Sequence, residues 1–334
     1  VLVRKHGERV SFLATDIEIQ ISTAASLGAG TDEAAITVNA RKLIDILRSL
    51  PETEVSISLN ARKLTISAGK SRFALQTLGQ EEFPTVAPSS TVNASLSIPQ
   101  KQLRHLFAMV HFAMAQQDIR YYLNGLLFVV DGTHVRVVAT DGHRLAYCAL
   151  QGDHDLGRQE VIIPRKTVNE LQRLLSDSDD PVDIDIAPNQ IRLRFGEVEL
   201  ISKLVEGKFP DYQRVIPTGY TKSIVLPRDA WAGALTRASI LTSDKFKGVR
   251  FTLSPGSMKI QTSNAEQEEA IEELDIDYDG EPLDIGFNVT YLQDVLGNLK
   301  TESVRVEFGD SNSSALVCVP GDDDFKYVVM PMRI

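Results

Sequence analysis

One motif is written three times along this chain. Residues 36–50, 161–175 and 285–299 each run a short β-branched strand into an amphipathic helix, and alternating strands come next. Aligned on Leu43, Val168 and Leu292, the copies recur about every 125 residues, far beyond the period of a solenoid repeat. A period of that size means three domain-sized copies in a row. Such a chain is a geometric object first, so a surface or a ring is sought before a catalytic pocket.

With 334 residues, each copy is large enough to bury its own core. The hydrophobic share of 43% and charged share of 24% are those of an ordinary globular protein. No apolar stretch reaches the length of a membrane span. Arg4, Lys5, Glu8 and Arg9 exclude a signal peptide from the first ten residues. Cys148 and Cys318 are too few and too far apart for a disulfide framework, which points to a cytosolic, cytoplasmic protein with free thiols.

The net charge of −10 opposes nucleic acid only as a sum. Its acids concentrate in segment 262–284, which has no Lys or Arg. The repeated helices are basic instead, with Arg41, Lys42 and Arg48 in the first copy and Arg165, Lys166 and Arg173 in the second. Segment 100–117 adds Lys101, Arg104, His105 and His111 and holds no acid before Asp118.

Each copy has two halves. Leu103, Leu106, Phe107 and Val110 space a helix after Pro99, and Trp231, Leu235 and Ile240 another after Pro227. Period-two strands follow at Val135 and Val137, Val182 to Ile186, Ile191 to Phe195, Val55 to Leu59 and Val304 to Phe308. The first copy reads only as strands at Val1–Val3, Val10–Ala14 and Ile17–Ile21 before Ile36. It is expected to lack a strand and a helix, roughly 30 residues by comparison with its sister copies. Phe83-Pro84, Phe209-Pro210-Asp211-Tyr212, Pro88-Ser89-Ser90 and Pro217-Thr218-Gly219 punctuate the joins. Boundaries near residues 94 and 222 then give three domains, 1–94, 95–221 and 222–334.

Six half-units of one helix plus strands give an α+β class, with helices packed on antiparallel sheets. The helices carry an apolar stripe and an opposite basic stripe, so the basic side faces solvent. Six helices about 10 Å across, set in a circle, leave a hole of only about 10 Å, whereas twelve leave roughly 28 Å, room for a DNA duplex. Two chains could enclose DNA where one could not, and closed rings come from head-to-tail contacts.

Several motifs carry no chemistry. Ala68-Gly69-Lys70-Ser71 ends like a phosphate loop, but Leu64 stands where the first glycine belongs. Asp275, Asp277 and Asp279 imitate a calcium loop, but its twelfth position is Gly286 and its eighth Pro282. No His or Cys spacing fits zinc, and no cofactor is expected. Thr140-Asp141-Gly142-His143-Arg144-Leu145 offers a carboxylate and an imidazole without a nucleophile, so a polar turn closing a strand competes with a hydrolase site. Gln116 to Tyr122 combines amides, Arg120 and two tyrosines, which suits phosphate and single-strand contacts. The C-terminus is apolar from Tyr327 to Ile334, either a buried strand or a methionine-lined groove for varied peptides.

With the triple repeat, these segments closely resemble the bacterial sliding clamps, the beta subunits of DNA polymerase III. The signatures are Gln117-Asp118-Ile119-Arg120-Tyr121-Tyr122-Leu123-Asn124-Gly125, Ala139 to Leu145, Ser202-Lys203-Leu204 and Phe209 to Tyr212. Asp244 to Arg250, Glu266-Gln267-Glu268-Glu269-Ala270 and Val328 to Ile334 complete them. The sequence departs from that family at its N-terminus and in ending on Ile334 where Leu is common.

The resemblance implies a head-to-tail homodimeric ring of six similar domains around duplex DNA, held without regard to base sequence. It implies a pocket between the second and third domains for short linear peptides of DNA polymerase III, other polymerases, the clamp loader and repair proteins. One wall of that pocket would hold Leu123, Thr140, Gly142, His143, Arg144 and Leu145. Pro210, Arg214, Val215, Phe246, Asn288, Tyr291 and Ser314 would add to it, with Val328, Val329, Met330, Pro331, Met332 and Arg333 at the chain end. Gln117, Arg120, Tyr121, Tyr122, Arg165, Lys166 and Arg173 would meet DNA. The dimer would pair Phe73 and Leu75 with Ile240 and Leu241, and Lys42, Lys63, Lys70 and Arg72 with Glu266, Glu268, Glu269 and Glu272. The expectation is a non-enzymatic processivity factor with no membrane partner. A hydrolase built on Asp141 and His143 and a general DNA-coating protein are the rivals.

Overall fold

The computed structural model describes every residue except 28–29, 52–53, 244–245 and 334; Asp244, Lys245 and Ile334 of the family signatures therefore lie outside the described residues. Among the described residues, five α-helices fall where the hydrophobic spacing predicts them: α1 (Ala40–Ser49), α2 (Gln100–Val110), α3 (Arg165–Leu174), α4 (Arg228–Ser239) and α5 (Val289–Asn298). The threefold motif is real in three dimensions. Helices α1, α3 and α5 each span ten residues, and each stops at an extended leucine, Leu50, Leu175 or Leu299. Asn39 and Asn288 cap α1 and α5 with side-chain oxygens that accept the N–H groups of Lys42 and Thr290. Helices α2, α3 and α4 instead follow Pro99, Pro164 and Pro227, whose fixed φ delivers the chain into the first turn.

The chain packs as two compact units, residues 1–98 with 180–203, and residues 99–179 with 204–334. In the first, eleven strands form one sheet in the order Ser56–Asn60, Lys63–Ala68, Ser71–Gly79, Glu33–Val38, Leu2–His6, Arg9–Thr15, Ile19–Ser26, Val198–Lys203, Gln190–Phe195, Pro181–Ile186 and Ala94–Pro99. Strand Val198–Lys203 of the second copy pairs antiparallel with Ile19–Ser26 of the first, Leu200 opposite Ile21. The unit's contents thus run across the repeat boundary. Ile17, expected to open a strand with Ile21, sits in the preceding turn with φ +72°, and the strand starts at Ile19. Helix α1 covers this sheet through Leu43, packed with Ile36, Val38, Leu64 and Ile66. Ile57 and Leu59 alternate as expected, yet their edge strand is exposed throughout.

The second unit holds a six-stranded sheet and a four-stranded sheet. One end of the six-stranded sheet is a long hairpin, Gly125–Thr140 and Arg144–Pro164, whose second strand pairs at Arg144–Cys148 with the terminal strand Asp322–Val329. That pairing joins the middle of the chain to its end, Leu145 opposite Val328. Pairs α2–α3 and α4–α5 pack beside the sheets. Burial pushes the Cys148 thiol up to about 12, so it serves as a small apolar core group. No helix among the described residues is long and apolar enough to cross a membrane.

Candidate functional site

The turn between the two hairpin strands is built by its own side chains. Thr140 Oγ1 donates to the Arg144 carbonyl at 2.6 Å and accepts the Gly142 N–H at 3.1 Å. Asp141 Oδ1 accepts the N–H groups of His143 at 2.9 Å and Arg144 at 3.1 Å. These are the local bonds that Thr and Asp offer in place of a strand ladder. Gly142 takes φ +91°, and a Cβ there would stand 2.8 Å from Arg120 Nη1. Arg120 cannot easily yield, because Asp118 holds its Nε at 3.0 Å and its Nη2 at 2.8 Å, while the Asp141 carbonyl accepts from Nη2 at 3.0 Å. The same hydrogen bonds from Arg120 hold the Asp118 carboxyl at about 2.

Behind the turn, the Arg144 guanidinium donates through Nε to Asp141 at 3.2 Å, Nη1 to Asp294 at 2.5 Å and Nη2 to the Phe112 carbonyl at 2.7 Å. It also lies 4.5 Å from the centroid of the Tyr291 ring, on which His143 stacks. Burial works against the Arg144 charge, but Tyr327 and Asp294 outweigh it and raise its pKa above the ordinary arginine value. Burial likewise pushes the Tyr327 phenol up, and its hydroxyl donates to the Tyr291 carbonyl at 2.8 Å.

In front of the turn lies a cavity of about 410 Å³. It brings together Leu123, Thr140, Gly142, His143, Arg144, Leu145, Pro210, Arg214, Val215, Ser314, Val328 and Met330 from the expected pocket. The chain end is both things the sequence allowed: Val328 and Val329 are core strand residues, and Met330, 45% exposed, lines the cavity. The Met330 N–H donates to the His143 carbonyl at 2.9 Å, stitching that end to the turn.

Other expected pocket residues stand back from the cavity. Tyr291 supports Arg144 from behind, and Asn288 caps α5. Met332 is tied by its N–H to the Gly286 carbonyl, while Pro331 is half-buried and Arg333 exposed. Phe246 lines a separate polar cavity of about 220 Å³ with Arg250 and Glu269. Phe209 lines the main cavity, and so do Arg120 and Tyr122, which the sequence reading places on DNA.

Of the other residues expected on DNA, Gln117 and Tyr121 are exposed, Gln117 with φ +56°. Lys166 and Arg173 stand on the exposed side of α3, Arg173 paired with Glu170, whereas Arg165 is half-buried and donates to the Met114 carbonyl at 2.8 Å. Lys42 on α1 and Lys63, Lys70 and Arg72 beside Phe73 and Leu75 are exposed. Residues 71–76 of their strand pair with strand Lys63–Ala68 on one side, and residues 77–79 pair with strand Glu33–Val38 on the other. Strand Glu269–Asp275 is the edge of its sheet. Glu266, Glu268 and Glu269 are exposed there, and Ile240 on the adjoining turn is 74% exposed with Leu241 half-buried. Glu272 is already paired with Arg237, which lowers its pKa.

Three family descriptions match in tandem: DNA polymerase III beta subunit, N-terminal domain, over residues 1–87, central domain over 97–211 and C-terminal domain over 213–333. The chain belongs to the DNA polymerase III beta subunit family. It is 47% identical to the beta sliding clamp of Pseudomonas putida, over all of this chain and 91% of that protein. The beta sliding clamp of Escherichia coli K12 is 42% identical over 97% of this chain and 89% of its own length. Among solved structures, the DNA polymerase sliding clamp of Pseudomonas aeruginosa with ligand superposes with a TM-score of 0.96 at 48% identity, covering all of this chain and 92% of that one. A structure of the same organism's clamp bound to griselimycin gives 0.97 at 48%, with 100% and 91% covered. The clamp fold, three tandem α+β domains of this family, is therefore the architecture of the chain.

The site fits this family better than a hydrolase. Asp141 spends its carboxylate on backbone N–H groups and Arg144, so it does not orient the His143 imidazole as a base would need.

Proposed function

We propose that the chain is a DNA polymerase processivity factor, a non-enzymatic sliding clamp acting in the cytoplasm. Two copies, each with domains 1–94, 95–221 and 222–334, close head to tail into a ring threaded on duplex DNA of any sequence. A ring retains DNA by topology, so its contacts can stay weak enough to slide. The exposed cations of α1, α2 and α3 support a lining that reduces repulsion without gripping. Ring closure would join the surface around Lys63, Lys70, Arg72, Phe73 and Leu75 to the edge strand and turns bearing Ile240, Leu241, Glu266, Glu268, Glu269 and Glu272. Opposite charge on the two surfaces, with half-buried Phe73 and Leu75 on one and exposed Ile240 on the other, supports that pairing.

The observation that carries the reading is the cavity at the Thr140–Arg144 turn, in a chain of this family. Its floor is apolar (Leu123, Leu145, Phe209, Val328), its rim polar and cationic (Arg120, His143, Arg214). A short linear peptide from a polymerase, the clamp loader or a repair protein would bury a few apolar anchors there. Phe246, Asn288, Tyr291, Val329, Pro331, Met332 and Arg333 would frame it. Gln117 and Tyr121 would remain available to DNA, while Arg120 and Tyr122 stand at the cavity itself. Deleting residues 330–334 tests this: polymerase stimulation is expected to vanish while the dimer persists in sedimentation. Normal stimulation by the shortened chain contradicts the pocket.

A further inference from the structure

The turn that walls the cavity is held from behind by one face of α5. Tyr291 and Asp294 stand three residues apart on that helix and so project to the same side. Tyr291 lies under the Arg144 guanidinium, and Asp294 Oδ2 accepts from its Nη1 at 2.5 Å. The side chain of Arg144 is only 9% exposed, and each of its three guanidinium nitrogens has an oxygen partner. Of the other two partners, Asp141 belongs to the turn itself and the Phe112 carbonyl to a single 3-10 turn, His111–Ala113. Asp294 is the charged partner fixed to a helix.

Asp294 itself does not line the cavity. Its side chain is 36% exposed, and α5 is anchored by Val289, Leu292, Val295 and Leu296 instead. Loss of its carboxylate would therefore spare the helix and strike the turn. A guanidinium fixed at three nitrogens sets the backbone of Arg144, whose carbonyl receives Thr140 Oγ1, and thereby the placement of Gly142 and His143. Shells of this kind hold a site to tolerances that loops alone do not reach.

We propose that Asp294 is a positioning residue of the peptide pocket: by fixing Arg144 it fixes the Thr140–Arg144 turn and the wall the peptide meets. This rests on reading the cavity as the peptide site. It also makes Arg144 a strut rather than a donor to the bound peptide.

The test uses the full chain and griselimycin, the compound bound by the Pseudomonas aeruginosa clamp, as probe. Asp294→Asn should weaken binding on the order of tenfold, the effect of losing a charge-assisted hydrogen bond, mainly through faster dissociation and with little change in Tm. Asp294→Glu should recover most of the loss. Asp294→Asn added to Arg144→Lys should weaken binding no further than Arg144→Lys alone, because both act through one contact. Unchanged affinity in Asp294→Asn, or losses that add, overturns the inference. Amide exchange at Gly142 and His143 reads the same positioning with no ligand present: it should quicken in Asp294→Asn, and unchanged rates overturn the proposal. Failure of the unaltered chain to bind griselimycin would instead overturn the pocket reading, leaving the exchange result to decide the role of Asp294.

Discussion

The turn Thr140–Arg144 has a twin at Thr15–Ile19. In the twin, Thr15 Oγ1 donates to the Ile19 carbonyl at 2.8 Å and accepts the Ile17 N–H at 2.9 Å. Asp16 Oδ1 accepts the N–H groups of Glu18 and Ile19 at 3.0 and 2.9 Å. The frame is the same bond for bond; the substituents differ. Where the pocket turn has Gly142 at φ +91°, the twin has Ile17 at φ +72°, 54% exposed. Where Arg144 reaches back to two carboxylates, Ile19 is buried as an apolar residue, 6% exposed. The fold supplies the turn, and three changes (glycine, histidine, arginine) turn it into a wall of a cavity.

Exchanging those substituents breaks or sharpens the comparison. Arg144→Ala removes a nearly buried guanidinium with three hydrogen-bond partners and should cost about 3 kcal/mol of stability; denaturant unfolding measures it. Gly142→Ile writes the twin's residue into the pocket and drives a Cβ toward the pinned Arg120. Griselimycin binding should fall on the order of 100-fold, equivalent to about 2.7 kcal/mol, by calorimetric titration. Ile19→Val should cost only about 1 kcal/mol, the loss of one buried methylene, with binding unchanged. Ile17→Gly should stabilise by about 0.5 kcal/mol, because relief of a left-handed β-branched residue slightly exceeds the entropy that glycine adds. A large binding change in either twin variant would show that the two turns are not independent.

The comparison also marks what a sequence displays. The threefold motif was legible because its hydrophobic period is local: Leu43, Val168 and Leu292 sit on helices of equal length ending at equivalent leucines. The kinship of Thr15-Asp16 with Thr140-Asp141 is faint in sequence, since only two of five residues match and the shared signal is a hydrogen-bond pattern. Asn264 repeats the role of Asp141 in the third copy, accepting from Glu266 and Glu268, with still less identity. The bond from Arg144 to Asp294 spans 150 residues, and no spacing rule reaches so far. The residue types of Arg120 and Tyr122 suit DNA contacts, but their place at the cavity follows from a short helical turn at Tyr121–Leu123 that composition does not announce.

The proposed ring of two chains encloses DNA instead of gripping it. Chains loaded by a clamp loader onto nicked circular duplex should stay bound through a high-salt gel-filtration column and be released when the circle is cut once. Equal loss from the intact circle and the cut molecule would contradict threading, since salt alone would then account for the dissociation.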